Sequence, residues 1–345
     1  MVKGHASWIP EAFTRREFLG GVGALAAGAA LAVPGKRAVA ATDFPAGRPI
    51  NFLIHAAPGG GTDVGLRILQ PYLEKALNTQ IVPMNHPTAG GHVMLTELSK
   101  SKPDGYTLGT IYLPGFNAMW LDPRRQPTYK RKDFSFLCSH VLDPGVIVVK
   151  PNARWKTLKE FTDEAKAKPA SLSVALGGIV SDDHLFLLDV MSKTGTDIKT
   201  VHFNSTAPAH TAFLGGHTDA LAANEAEVIP LIKRGEARIL ALANTQRSKY
   251  NPEIPTLREQ GLDIVSYALR GYMMPANPPQ PILEYLGQAF KEAITDPEHM
   301  AKMEKLGFPV VYMGSKEFTE MVLKEDARVA RLVKQFGVFD PLPQN

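Results

Sequence analysis

The spacing of apolar residues changes from strand-like to helical within Ile50 to Leu77. Ile50, Phe52, Leu53 and Ile54 form the short branched and aromatic run expected of a buried strand. Pro58 ends pairing, and Gly59, Gly60 and Gly61 let the backbone turn tightly. Leu66, Leu69, Leu73 and Leu77, with Ile68 and Tyr72 beside them, then recur at helical spacing. This helix is expected to begin at Thr62 and Asp63 and to kink at Pro71.

The alternation continues downstream. Ile81-Val82-Pro83 reads as a strand, PTAGGH as a loop ending at His92, Val93–Lys100 as a helix and Tyr106–Tyr112 as a strand. Val146–Val149 opens a second run of elements. Thr157 with Glu160 makes a capping box for a helix to about Lys166. Strands follow at Leu172–Leu176, Thr200–Phe203, Asp219–Ala223 and Ile239–Ala243. Between them fall a helix from His184 to Gly195, another over Ala209–Leu214, and one containing Ile229 and Ile232. The chain crosses back at Ser266–Pro275 and ends with amphipathic helices over Pro281–Ile294 and Ser315–Phe336. In the last, Phe318, Met321, Val322, Val329, Leu332 and Val333 share a face. Strands alternating with helices at this spacing predict parallel α/β architecture. The 345 residues suffice for two units of ordinary size.

Charge changes the picture only at the N-terminus. The net charge is +4, but residues 1–40 hold five basic residues against two acidic ones, so the remainder carries +1. No basic patch is left to recruit nucleic acid. Arg15 and Arg16 precede an uncharged run of 16 residues, Phe18–Val33, short of the ~20 needed to span a bilayer. Ala38-Val39-Ala40 follows as a small-x-small cleavage pattern. Residues 1–40 therefore read as a twin-arginine signal peptide, cut near Ala40 or Ala41, which implies the twin-arginine export machinery and a soluble periplasmic product. Cys138 is the only cysteine, which excludes an intramolecular disulfide and a thiolate metal cluster. It reads as a core thiol.

Candidate chemistry begins with PGGGTD. Free amides and the macrodipole at a helix start can hold an anion. An ordinary turn with Thr62 or Asp63 as N-cap explains the same residues equally well. No Gly-Lys-Ser/Thr follows and the GxGxxG spacing is missing, so a carboxylate suits the turn better than a polyphosphate. Further on, Ser181-Asp182-Asp183-His184 opens a helix. Asp182 or Asp183 there is as good an N-cap as a ligand contact, and His184, followed by Leu185, Phe186, Leu187 and Leu188, reads as a packed histidine.

The blocks GRPINFLIHAAPGGGTD, PTAGG, PDGYTLG, HFNSTAPAHTAFLGGHTDA and IPTLREQG, in this order between Arg48 and Val338, resemble the extracytoplasmic solute-binding receptors of tripartite tricarboxylate transporters, the Bug receptors. The resemblance implies a type II periplasmic-binding-protein-like α/β fold, with two lobes joined by crossing strands around a central cleft. Lobe 1 would be 43–145 plus 267–345, and lobe 2 would be 146–266. It implies no cofactor, no metal and no catalysis. It also implies a small organic carboxylate as ligand, and a large and a small integral membrane subunit as partners. Asp63, Ser181, Asp183, Ser205, Thr206, Ala207 and Asn224 fall at or near ligand-lining positions of the family. The backbone of Gly59, Gly60, Gly61 and Thr62 would hold a carboxylate. The loops Gly177–His184 and Asn204–Ala207 would hold the far end.

Three departures bear on the ligand. Ala56 stands where the family often has a bulky aromatic, Ser181-Asp182-Asp183 where small hydroxyl residues are usual, and Asn204-Ser205 where Lys-Gly is common. These changes disfavour a second carboxylate. The expected ligand is a monocarboxylate or an amine-bearing acid, with Asp183 facing its polar or cationic end. Two rival readings remain: a sensor component for a membrane signalling partner, and a secreted metal-assisted hydrolase using Asp182, Asp183 and His184. The second is weakened because three adjacent helical residues point in different directions. No HExxH, GxSxG or SxxK motif supports it.

Overall fold

A computed structural model describes residues 44–339. The twin-arginine leader and its cleavage pattern lie outside the described residues. Two series of parallel strands meet at two long crossing strands. The first series comprises β1 (Ile50–Ile54), α1 (Gly61–Leu77), β2 (Ile81–Asn85), α2 (His92–Lys100), β3 (Thr107–Leu113) and α3 (Gly115–Leu121). β4 (Phe134–Val149) follows, then α4 (Leu158–Ala167), β5 (Ser173–Gly177), α5 (Asp182–Thr194), β6 (Lys199–Phe203) and α6 (Thr206–Leu214). Next come β7 (Ala220–Asn224), α7 (Glu225–Lys233), β8 (Arg238–Leu242), β9 (Tyr267–Pro275), α8 (Gln280–Ile294), α9 (Pro297–Lys305) and α10 (Ser315–Gln335).

The sheet runs in the order β2-β1-β3-β9-β4-β7-β5-β6, with β8 also paired to β4. β1 is parallel to β2 and β3, and β5 is parallel to β6 and β7. β9 runs antiparallel to both β3 and β4. β4 links the halves: Phe134–Pro144 pairs with β9, and Gly145–Val149 with β7. The pairing with β9 shifts register between Phe136 and Cys138 and between Ser139 and Val141. Such bulges bend a strand, here just before it passes from one half of the sheet to the other.

Several expectations shift. Val146–Val149 is not a new strand but the end of the 16-residue β4, whose earlier part the Pro144-Gly145 pair disguised. α1 starts one residue early at Gly61 with Gly60 as N-cap, and Asp63 lies inside its first turn. The helix continues across Pro71, on its exposed face. β2 accommodates Pro83 because it is an edge strand with an unpaired side. α5 begins at Asp182, capped by Ser181, and not at His184. Cys138 is fully buried in the core under β1 and α1.

α10 joins the two halves. Phe318 and Val322 enter the core beneath β3 and β9, while Val329, Leu332 and Val333 enter the core around α4, β5 and α5. Its Arg328 donates to Asp189 of α5 at 2.7 Å through Nε and to Glu325 at 2.9 Å through Nη1. It also donates to Ser266 Oγ at 2.9 Å.

Candidate functional site

The β1–α1 turn is held from within. Asp63 is 2% exposed and both of its oxygens are used. Oδ2 accepts the Gly59 amide at 2.9 Å, and Oδ1 accepts Arg67 Nε and Asn85 Nδ2, each at 2.9 Å. Burial would raise its pKa, but the hydrogen bonds from Arg67, Asn85 and Gly59 together bring it below the usual value. Asp63 is thus a latch on the turn, with three of its acceptor positions taken within the chain. Gly59, at φ 81°, needs the freedom of glycine. Helix geometry leaves the first amides of α1, those of Gly61 and Thr62, without intrahelical partners.

A guanidinium lies against this turn. A Cβ added at Gly61 would stand 3.2 Å from Arg270 Cζ. Arg270 is only 9% exposed, and its Nη1 is buried with no hydrogen-bond partner. Its Nη2 lies 3.9 Å from Asp143 Oδ2, and its Cζ stands 5.4 Å over the Phe308 ring. A cation at the positive end of a helix is unfavourable. An anion accepting from both would relieve this.

Sheet register explains what gathers around Arg270. Arg270 pairs with Tyr112 of β3, and Asp143 pairs with Ala268, two residues away on β9. Alternation therefore places Tyr112, Arg270 and Asp143 on one face of the sheet. Asp143 is fully buried; Oδ1 accepts the Ala226 amide at 3.1 Å and Oδ2 has no partner. Burial pushes its pKa up to about 8, against the pull of Arg270. His140 bounds the small pocket between Arg270 and α1. Its Nδ1 pairs with Tyr272 OH at 2.7 Å and its Nε2 with His299 Nε2 at 3.1 Å, while His299 Nδ1 reaches the Ile294 carbonyl at 2.9 Å. Because that carbonyl can only accept, the chain assigns the proton to His299 Nδ1 and to His140 Nε2, with both rings neutral. Burial, with His299 and Arg270, holds His140 well below its ordinary pKa, in agreement.

The second half contributes the starts of α5 and α7, at the carboxyl ends of β5 and β7, where ligands of α/β sheets collect. Ser181 caps α5 by accepting the His184 amide at 3.2 Å. His184 is indeed a packed histidine: Nδ1 accepts the Val180 amide at 3.0 Å, and burial with His202 lowers its pKa to about 3. Asp182 crosses between the halves. Tyr112 OH donates to its Oδ1, and Asn224 Nδ2 donates to Oδ2 at 2.6 Å. Asp183 is 4% exposed; Oδ2 accepts only a long 3.4 Å bond from the Gly177 amide, and Oδ1 has no partner. Burial first, then Asp182 and Glu227, push its pKa well up. Glu227, raised to about 6 by burial, accepts from Thr206 Oγ1 and from the Asn224 amide, both at 3.4 Å. Asn224 Oδ1 is buried and unpartnered.

Of the residues singled out in the sequence, Gly177, Asp183, Thr206 and Asn224 converge on this cluster. A Cβ at Gly177 would lie 2.9 Å from the Thr206 amide nitrogen, so glycine is required for the approach. Asn204 and Ser205, between β6 and α6, and Ala207, in the first turn of α6, are exposed. Sequence reasoning missed Arg270, Asp143, Tyr112 and Glu227. Among the described residues no three His, Cys, Asp or Glu side chains are grouped to hold a metal, and no helix is long and apolar enough to cross a membrane.

Comparison with known proteins agrees with this architecture. Protein BugT of Bordetella pertussis is 29% identical over 92% of this chain and 96% of its own length. A TctC solute-binding protein from Polaromonas superposes with a TM-score of 0.73 at 27% identity, covering 84% of this chain and 98% of that one. MatC from Rhodopseudomonas palustris, solved with bound malate, gives a TM-score of 0.71 at 26% identity over 83% of this chain and 99% of its own. These neighbours share the two-lobed α/β fold of periplasmic solute-binding proteins and are receptors, not enzymes. Residues 66–338 match the tripartite tricarboxylate transporter family receptor, and the chain belongs to that family.

Proposed function

We propose that the protein is an extracytoplasmic receptor that captures a small organic carboxylate between its two lobes and delivers it to the large and small membrane subunits of a tripartite transporter. The lobes are 43–145 plus 267–345, and 146–266. The observation that carries this reading is the unpartnered Nη1 of Arg270 beside the first turn of α1, whose amides are also free. Both offer hydrogen-bond donors to an anion. Malate bound to MatC supports a carboxylate in this cleft. The leader at residues 1–40 supports export through the twin-arginine machinery and action in the periplasm. A ligand touching donors from both lobes binds the closed form better and shifts the population toward it.

The test is a thermal-shift screen of the mature protein, refolded to strip carried-over ligand. Aliphatic and aromatic carboxylates, amino acids and their amides form the panel. A ligand at ~100 times its dissociation constant stabilises by about 2.7 kcal/mol. Stabilisation by a carboxylate and not by its amide is the expected result. No stabilisation by any acid of the panel would refute the reading.

A further inference from the structure

The cleft is chemically lopsided. On the crossing strands it offers one unpartnered cationic donor, Arg270 Nη1, beside Asp143 Oδ2, which is also unpartnered. Toward the second lobe it offers only unpartnered acceptors, Asp183 Oδ1 and Asn224 Oδ1. Both of these residues are at least nine-tenths buried. They stand at the carboxyl ends of adjacent parallel strands, Asp183 through its bond to Gly177 of β5 and Asn224 as the last residue of β7. Asp182 and Glu227 add negative charge on the same side.

Buried polar atoms are satisfied in nearly every native structure, and these belong to one cluster, in which Arg270 acts on Asp143 and Glu227 and these in turn on Asp183, so their chemistry points to that of a ligand. The missing partner must accept at Arg270 and donate at Asp183 and Asn224. A second carboxylate cannot donate, and it would meet Asp182 and Glu227 as like charges. A hydroxyl donates once. An ammonium donates three times and neutralises charge.

We propose that the ligand is a zwitterion, an amine-bearing carboxylic acid whose carboxylate lies between Arg270 and the first turn of α1 and whose ammonium is accepted by Asp183 and Asn224. This rests on the carboxylate-receptor reading and narrows it. The pocket selects against dicarboxylates of similar length by repulsion at Asp182 and Glu227, while an ammonium beside Asp183 favours its ionised, accepting form and so selects the amine.

Isothermal titration calorimetry on the refolded mature protein tests it with three matched series. The first holds the common L-α-amino acids with β-alanine, γ-aminobutyrate and δ-aminovalerate. The second holds their deaminated acids, and the third malonate, succinate, glutarate, adipate and malate. At least one amino acid should bind about tenfold or more tightly than its deaminated counterpart and than every dicarboxylate, the strength expected of a buried charge-assisted bond. Asp183→Asn, near-isosteric and checked for native circular dichroism, should shrink that ratio to about threefold or less. A dicarboxylate or deaminated acid that binds at least as tightly as every amino acid overturns the zwitterion and leaves the receptor reading standing. So does an unchanged ratio in Asp183→Asn. Absence of binding throughout all three series overturns both.

Discussion

Replacing Tyr112 by phenylalanine removes one oxygen and cuts the bond that ties β3 to the start of α5. The phenol donates to Asp182 Oδ1 and accepts from the Asp182 amide at 3.1 Å. Asp182 is buried, and its other oxygen keeps Asn224 Nδ2. The lost donor to a charged group costs about 1.5–3 kcal/mol. The amide that also loses its acceptor brings the cost in the closed form to about 3 kcal/mol. Opening readmits water to Asp182, so the open form escapes this cost. The ratio of closed to open protein without ligand should therefore fall by about a hundredfold. Small-angle scattering reads the opening as a larger radius of gyration, and urea unfolding reads the stability. A double-mutant cycle with Asp182→Ala isolates the pair and should return a coupling of about 2 kcal/mol. Coupling below about 0.5 kcal/mol, with an unchanged radius, would refute the claim that this bond holds the halves together.

Two further outcomes follow from buried charge. Asp143, pushed up to about 8 by burial, stays protonated in the fold where the unfolded chain is ionised. Its contribution is fully present below pH ~4 and lost as the pH rises through 8. The lowered histidines His55, His140, His184, His210 and His299 act in the opposite sense, because the unfolded chain still sheds histidine protons between about pH 6.5 and 7.5. Asp143 alone should remove about 2 kcal/mol of stability between pH 6.5 and 8. Asp143→Asn should therefore remove that part of the slope, and a variant whose stability changes with pH over this range as the parent's does would contradict it. Arg328→Met leaves Asp189 and Glu325 buried with only Arg331 and the Tyr267 hydroxyl, respectively. It should cost about 3 kcal/mol in urea unfolding, and a loss below about 1 kcal/mol would mean the pair acts as an exposed one.

What the sequence disclosed followed the strength of local signals. β1 and α1 were legible because an apolar run, a proline, three glycines and a leucine stripe all agree. β4 was not, because Pro144-Gly145 punctuates it, whereas in the fold that pair marks the passage between two sheet halves. α9 carried an unread start signal: Asp296 caps it, with Pro297 at its first position. Asp183 and Asn224 were singled out through the resemblance to the Bug receptors and not through any local signal of their own. Arg270, Asp143 and Tyr112 sit within strands, and only pairing between distant segments brings them together. Arg270 still left a trace as the one charge in the wholly buried strand YALRGYMMP, a placement an unpartnered surface strand would not explain. Asp63 was read as a cap or a ligand contact, because spacing along one chain does not reveal that Asn85 and Arg67 fill it.

The last helix has a consequence for how the protein comes into being. α10 seals one core with Phe318 and Val322 and the other with Val329, Leu332 and Val333. Domains ordinarily fold one by one as the chain emerges. Here one core in each half of the sheet stays open until α10 has been made, so the two halves are completed together by the same helix.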